Sequence, residues 1–243
     1  MSDYGKFAYI YDTLISADID YASMADMIEL AFEKYGAKPK LVLDLACGTG
    51  NLTNILADRG YDMIGVDMSS DMLSVAREKN SSILYLNQDM RDLDLYGTVD
   101  AVLCMTDSLN YITCDNDLKN VFSLIKNYLN PGAPFIFDIN SHYKLSKIIA
   151  NNTFTYDDED ILYVWTNEWD KKNCLSNFDL NFFIMQDNGL YLRFDEHHCQ
   201  KAYKKQYICE LLKHTGFSSV EVFDGWSFNA PNRATERYLF MAR

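Results

Sequence analysis

No C-x-x-C pair occurs in the 243-residue chain. Its six cysteines, Cys47, Cys104, Cys114, Cys174, Cys199 and Cys209, are scattered, which argues against a disulfide framework or a structural zinc site and for free thiols in a reducing compartment. Basic residues are also few. There are 22 Lys and Arg against 35 Asp and Glu, a net charge of −13, and the pairs Lys171-Lys172 and Lys204-Lys205 do not make a basic stripe. A partner that tracks phosphates is therefore disfavoured, nucleic acid included. No apolar run is long enough to cross a bilayer. The opening "MSDYGKFAYIYD" lacks a basic stretch followed by an apolar core, so no signal peptide is expected. Repeats and low-complexity segments are absent too. The expectation is a soluble, cytoplasmic protein.

What is present is a chain that is 48% hydrophobic and 14% aromatic, enough for one large domain or one domain with a sizeable insertion. Met24, Met27, Ile28, Ala31 and Tyr35 form a helical stripe ended by Gly36. A regular alternation follows. Strands are expected at Leu41–Leu45, Tyr61–Val66, Ile83–Leu86, Val99–Met105 and Phe135–Ile139, with helices at Asn51–Asp58, Ser70–Lys79 and Leu118–Leu129 between them. Strands separated by helices of this length make βαβ units, hence a parallel sheet with helices on both faces. From about Phe154 to Cys199 the pattern changes to period two, with Asn188-Gly189 marking a hairpin, and predicts three or four antiparallel strands. A helix over Tyr203–His214 and strands over Val220–Phe223 and Arg237–Met241 close the chain.

The stretch Leu41–Thr53, "LVLDLACGTGNLT", is the loop where a nucleotide-like ligand would meet backbone. A dinucleotide fingerprint wants a third glycine, and Thr53 stands there instead. Asp44 is more telling. Near the carboxyl end of the first strand, it would repel a pyrophosphate and attract an ammonium or sulfonium. S-adenosylmethionine carries both of those cations and no phosphate, and its carboxylate suits the N-terminus of the next helix. Ala46, Gly48 and Gly50 would bring backbone close to it. Asp67 ends the second strand, placed for the ribose hydroxyls. Asp89, past the third strand, could accept from the adenine amino group, with Met68 and Met90 on the ring faces.

Together, "VLDLACGTGNLT", "GVDMSSDML", "QDMRDL" and "LNPGAPFIFDIN" resemble the successive motifs of the class I S-adenosylmethionine-dependent methyltransferases, over roughly Lys40 to Asn140. The resemblance implies an α/β fold, a seven-stranded mostly parallel Rossmann-like sheet whose last strand is antiparallel, with the antiparallel β insert after strand 5. It also implies the roles just given to Asp44, Gly48, Gly50, Asp67 and Asp89. "FAYIYDTL" and "EHHCQKAY" are similar to small bacterial methyltransferases of undefined substrate, with Lys201 where Arg is usual. The expected organisation is an S-adenosylmethionine-binding domain of residues 1–140 and 203–243, in which 1–36 form a helical lid, and a substrate cap of residues 141–202.

Methyl transfer from a sulfonium asks the protein to align the acceptor, exclude water and, where needed, remove one proton. Three places offer such groups. Asp107, with Ser108, Asn110 and Tyr111, follows the fourth strand and could orient an amine or take its proton, or simply cap a helix. Tyr11, among Tyr4, Phe7 and Tyr9, could fold over the sulfonium. Glu196 and His198 share a face with Leu190, Leu192 and Phe194 on the final insert strand and could supply a base. On the opposite face Asp195, His197 and Cys199 lack a fourth ligand, so no metal is expected. Ten acidic residues against three basic ones between Thr153 and Gln200 make a phosphorylated acceptor less expected than a neutral or cationic one. The expected function is N- or O-methylation of a small molecule. Alternatives are a tRNA or protein methyltransferase, a non-catalytic cofactor-binding subunit and, more distantly, an NAD-dependent oxidoreductase.

Overall fold

The computed structural model describes residues 19–158 and 160–243. Helix α1 (Tyr21–Lys34) starts at Asp20, whose carboxylate accepts from the Ser23 amide at 3.0 Å, a cap that satisfies one orphan donor. Its Met24, Met27, Ile28 and Ala31 are buried, the stripe that the spacing predicts. There follow β1 (Leu41–Leu45), α2 (Asn51–Asp58), β2 (Asp62–Asp67), α3 (Ser70–Lys79), β3 (Leu84–Asn87), β4 (Ala101–Cys104), α4 (Asp115–Tyr128) and β5 (Phe135–Asn140). Then come β6 (Thr153–Asp157), β7 (Ile161–Asp170), β8 (Leu175–Met185), β9 (Tyr191–Lys201), α5 (Lys205–His214), β10 (Val220–Asp224) and β11 (Arg237–Ala242).

Seven strands pair in the order β10-β11-β5-β4-β1-β2-β3. The β3-β2-β1-β4-β5 part is parallel, and β11 runs antiparallel to both β5 and β10. Period-two alternation sends side chains to two cores. Phe135, Phe137 and Phe240 join α4 and α5 on one face through Phe122, Ile208 and Leu212. Ile136, Leu239 and Met241 join α1 and α2 on the other through Ile28, Phe32, Leu52 and Leu56. Phe137 stacks on Phe240 at 4.8 Å. Cutting it to alanine would cost about 3–5 kcal/mol. Strand order reverses between β1 and β4, which leaves a crevice outside their carboxyl ends, the place where open α/β sheets take ligands.

The insert is a four-stranded antiparallel sheet, β6-β7-β8-β9. Register places Tyr163, Phe182 and Phe194 in one row, Trp165, Leu180 and Glu196 in the next, and then Asn167, Phe178 and His198. These rows lie on one face. Beneath them a helical segment, Lys144–Ile149, buries Leu145 and Ile149 against Phe178, Ala202 and Trp165. The alternation of the surrounding strands hides this segment in the sequence, although Leu145 and Ile149 stand at i, i+4. Element ends move by one to three residues from expectation. Helix α4 begins at Asp115 because Asp115 and Asp117 suit the positive end of a helix. Helix α5 begins at Lys205 because Ala202 and Tyr203 are buried and the Tyr203 hydroxyl donates to the Ile112 carbonyl. The anticipated lid over residues 1–36 divides. Residues 1–18, Tyr11 among them, lie outside the described residues, and α1 is docked on the sheet as core.

Candidate active site

The crevice holds a cavity of about 730 Å³ lined by Asp44, Ala46, Gly48, Asp67, Met68, Asp107, Tyr111, Lys144, Trp165, Phe178, His198, Gln200, Trp226 and Arg237, among others. A second cavity of about 390 Å³ adjoins it and is lined by Asp89, Met90, Arg91, Ile112 and Thr113. Ala46, Asp67, Met68, Ser108 and Tyr111 line both, so the two form a continuous trough across the ends of β1, β2 and β4.

The β1 end of the trough is shaped by backbone. Ala46, Gly48 and Gly50 have φ of 60°, 55° and 75°, a run of left-handed turns that bends the chain into α2. At Gly50 space adds to the requirement, since a Cβ would stand 2.7 Å from the Tyr85 hydroxyl. At Gly48 nothing among the described residues lies within 4 Å of where a Cβ would stand, so a ligand can approach that side. Asp44 is only 3% exposed and accepts a 2.5 Å hydrogen bond from Thr53 Oγ1. Burial pushes its carboxyl up to about 7, the Thr53 hydroxyl opposes this, and the nearby Asp67 adds to it. Thr53, the residue that spoils a dinucleotide fingerprint, is thus the residue that fixes the Asp44 carboxylate. Asp67 accepts from the Gly48 amide at 2.9 Å and the Ser69 amide at 2.8 Å, one on each oxygen. A carboxylate has about four acceptor positions, so room remains for two hydroxyls. Asn87 donates to the carbonyls of Asp67 and Met68 and fixes that loop.

In the second cavity Asp89 is engaged on both oxygens by Arg91, with Nε at 3.0 Å from each and Nη2 at 2.5 Å from Oδ2. Hydrogen bonding from Arg91 holds its carboxyl below the usual range. The expected contact to an adenine amino group therefore has a competitor that the sequence reading did not weigh. Met90 lines this cavity and Met68, 70% exposed, stands at the junction.

The far end of the large cavity is built from side chains. Thr106 and Asp107 both have positive φ, 58° and 53°, sparsely populated for residues with side chains and unusual for β-branched Thr106. The turn aims Asp107 at two donors. Arg237 Nη2 reaches Oδ1 at 2.7 Å and Gln200 Nε2 reaches Oδ2 at 2.6 Å. Arg237 also donates to the fully buried Asp138. Burial pushes the Asp138 carboxyl up, and the Arg237 charge opposes it. Gln200 in turn accepts from Asn140 Nδ2 at 3.0 Å. Asn110 donates to the carbonyls of Asn140 and Lys201, which ties the β4 turn to β5 and β9. Asp107 caps no helix with its side chain, and both its oxygens are occupied.

His198 lines the same cavity, edge-on to Tyr111 at 5.8 Å, with no hydrogen bond to any described residue. Burial holds its imidazole below the usual value, so it is uncharged at neutral pH. Glu196, beside Leu180 on the same face of the sheet, is half-buried, raised by that burial, and does not line the cavity. Of the two insert residues expected to supply a base, His198 lines the cavity and Glu196 does not. Lys201, in the place where arginine is usual, pairs with Asp115 at 2.8 Å.

Residues 42–132 match the sequence pattern of a methyltransferase domain. A crystal structure of an S-adenosylmethionine-dependent methyltransferase from Clostridium acetobutylicum ATCC 824 superposes with a TM-score of 0.90 and 39% identity, over 99% of this chain and 98% of that one. A Bacillus subtilis (strain 168) protein named as a methyltransferase, YqeM, is 35% identical over 99% of this chain and 96% of its own. The chain belongs to the S-adenosylmethionine-dependent methyltransferases. A third relative, the dTDP-3-amino-3,6-dideoxy-alpha-D-glucopyranose N,N-dimethyltransferase of Streptomyces fradiae, is 33% identical over 48% of this chain and 47% of its own.

The cofactor of this methyltransferase is S-adenosylmethionine, and the trough fits it. Two carboxylates stand at the ends of β1 and β2, and Gly48 lines the cavity between them. Sequence reasoning missed Gln200, Arg237, Lys144 and Trp226. Period two puts Gln200 on the same face as His198, and that was the available signal. Arg237 had none beyond being an arginine at the head of a strand that ends in a core. Among the described residues no helix is long and apolar enough to cross a membrane.

Proposed function

We propose that this methyltransferase transfers methyl to the nitrogen of a small amine with an apolar body, and that residues 141–202 cap the acceptor. The observation that carries this reading is His198, uncharged and without a hydrogen-bond partner among the described residues, in the cavity that also holds Asp44, Gly48 and Asp67. S-adenosylmethionine supplies an electrophilic methyl on a sulfonium. Asp44 and Asp67 would hold the cofactor, the first suited to its cations and the second to its ribose hydroxyls. Asp107 is held by Arg237 and Gln200 and orients the amine through an N–H. With the cofactor bound, that nitrogen would be the methyl acceptor, and His198 is placed to take the proton it sheds. Tyr163, Trp165, Phe178 and Phe182 wall the site with rings that exclude water and pack on the acceptor body.

The amino-sugar N,N-dimethyltransferase of Streptomyces fradiae, by its name a small-molecule N-methylating relative, supports the same reading. The test is to incubate the protein with tritiated S-adenosylmethionine and three fractions: a panel of small amines, total tRNA and lysate protein. Label is expected in the amines. Label confined to tRNA or protein would overturn the acceptor class, and Tyr11 and Glu196 would then need to be reconsidered with the site as a whole.

A further inference from the structure

Around the acceptor half of the cavity stand two cations, Arg237 and Lys144, and three carboxylates, Asp107, Asp138 and Glu236, that are not matched in pairs. Arg237 takes both Asp107 and Asp138. Lys144, from the helical segment under the insert, lines the cavity half-buried, and its ammonium makes no hydrogen bond or ion pair with any described residue. A cation withdrawn from water without a partner is costly; of the three carboxylates that act on it, Asp107 and Asp138 are taken by Arg237 and Glu236 forms no ion pair with it. Two more donors in the same walls are unmatched: the indole N–H groups of Trp165 and Trp226 are buried and have no partner among the described residues. The complementary acceptor in that wall is Asn140 Oδ1, also buried and without a partner among the described residues, which suits an amine N–H. Burial and the adjacent Arg237 charge push the Lys144 ammonium down, against the pull of Asp107, Glu236 and Asp138.

We propose that Lys144 anchors a carboxylate on the methyl acceptor, so that the substrate is a small amine which also carries an acid group. This rests on reading the cavity as the acceptor site of an N-methyltransferase. It accords with the acidic insert, since an amino acid-like zwitterion is neutral overall. The cofactor's own carboxylate is the other source of this chemistry, and the experiment separates the two.

Protein saturated with S-adenosylhomocysteine is titrated calorimetrically with phenylacetate and butyrate, each against its primary amide, in wild type, Lys144→Met and Lys144→Arg. Each acid is expected to bind wild type about tenfold or more tighter than its amide, as a charge-assisted hydrogen bond would give. Lys144→Met should erase the preference and Lys144→Arg should keep part of it, while affinity for S-adenosylhomocysteine stays unchanged and confirms folding. Equal or absent binding of acids and amides to wild type would overturn the proposal, as would a preference that survives in Lys144→Met. Weakened S-adenosylhomocysteine binding in Lys144→Met would also overturn it, assigning Lys144 to the cofactor. The amine-labelling assay reports on N-methylation separately, so failure of either proposal can be told from failure of the other.

Discussion

The two ends of the trough are built by different means. At the cofactor end, backbone does the shaping: three left-handed residues within five positions, amides that bond Asp67, and carboxylates at the tips of adjacent parallel strands. At the end proposed for the acceptor, side chains meet from β4, β5, β9 and β11, far apart in the chain; Asp107 and Arg237 are separated by 130 positions and Asp107 and Gln200 by 93. A ligand common to a family can be met by a local motif. An acceptor that varies between members is met by long-range pairs which can change one at a time. The comparison has an energetic side as well, because removing one member of a long-range buried network strands its partners, whereas changes at the strand tips mostly alter ligand affinity.

Arg237→Met is the sharpest test of that difference. It leaves Asp138 fully buried and without its cation, and Asp107 without its strongest partner. Breaking such a pair costs about 3–5 kcal/mol, to be read as a fall in the urea midpoint. A loss below about 1 kcal/mol would mean that the acceptor network contributes little to folding. Next comes His198→Gln. It should lower kcat by about 10²–10⁴ on any amine found in the labelling assay, as expected for loss of a general base, while the S-adenosylmethionine Kd holds. A drop in cofactor affinity with unchanged kcat would transfer His198 from one end of the trough to the other.

The same contrast explains what could be read in advance. Asp44, Gly48, Gly50 and Asp67 are legible because strand, turn and helix lie within one βαβ unit and the spacing itself places them. The seven-stranded sheet is legible for a related reason: period two and period 3.6 alternate cleanly up to Asn140. The helical turn at Lys144–Ile149 and the Arg237–Asp107–Gln200 network are not, because their partners are set by how β9 and β11 return over the sheet. Glu196 shows the limit of a face argument, since it shares a face with His198 yet stands away from the cavity. Thr53 shows a different one: its meaning lay in a hydrogen bond to Asp44 rather than in the glycine it replaces.

Asp44 links charge to both folding and ligand binding. Its folded carboxyl sits at about 7, above the ordinary value, so between about pH 4 and 7 the folded state holds a proton that the unfolded chain has released. Its contribution to the stability of the cofactor-free protein is therefore greatest below pH 4 and declines as pH rises through 7. Cofactor affinity runs the other way, because a cationic ligand favours the ionised carboxylate. Calorimetry from pH 5.5 to 8.5 should show binding that tightens up to about pH 7 and then levels, with proton release. Asp44→Asn should flatten this dependence and weaken binding at pH 8 by about tenfold to a hundredfold, the worth of a hydrogen bond to a charged group. A pH dependence that persists in Asp44→Asn would assign the proton elsewhere.

The smallest effect is expected at Asp89, where the two ends of the argument meet. It sits at the cofactor end but is already held by a side chain, since Arg91 occupies both carboxylate oxygens. Arg91 is half-exposed and its pair with Asp89 is worth at most about 1 kcal/mol. An adenine amino group can therefore displace it at little cost, and the net gain is that of one hydrogen bond, about 0.5–1.5 kcal/mol. Asp89→Ala should accordingly cut the preference for S-adenosylhomocysteine over its N6-deaminated analogue by a few-fold only, measured as a ratio of Kd values. Arg91→Gln, which frees the carboxylate, should widen the same ratio. If both variants leave the ratio untouched, Asp89 serves Arg91 and the loop rather than adenine, and base recognition falls to the backbone and to Met68 and Met90.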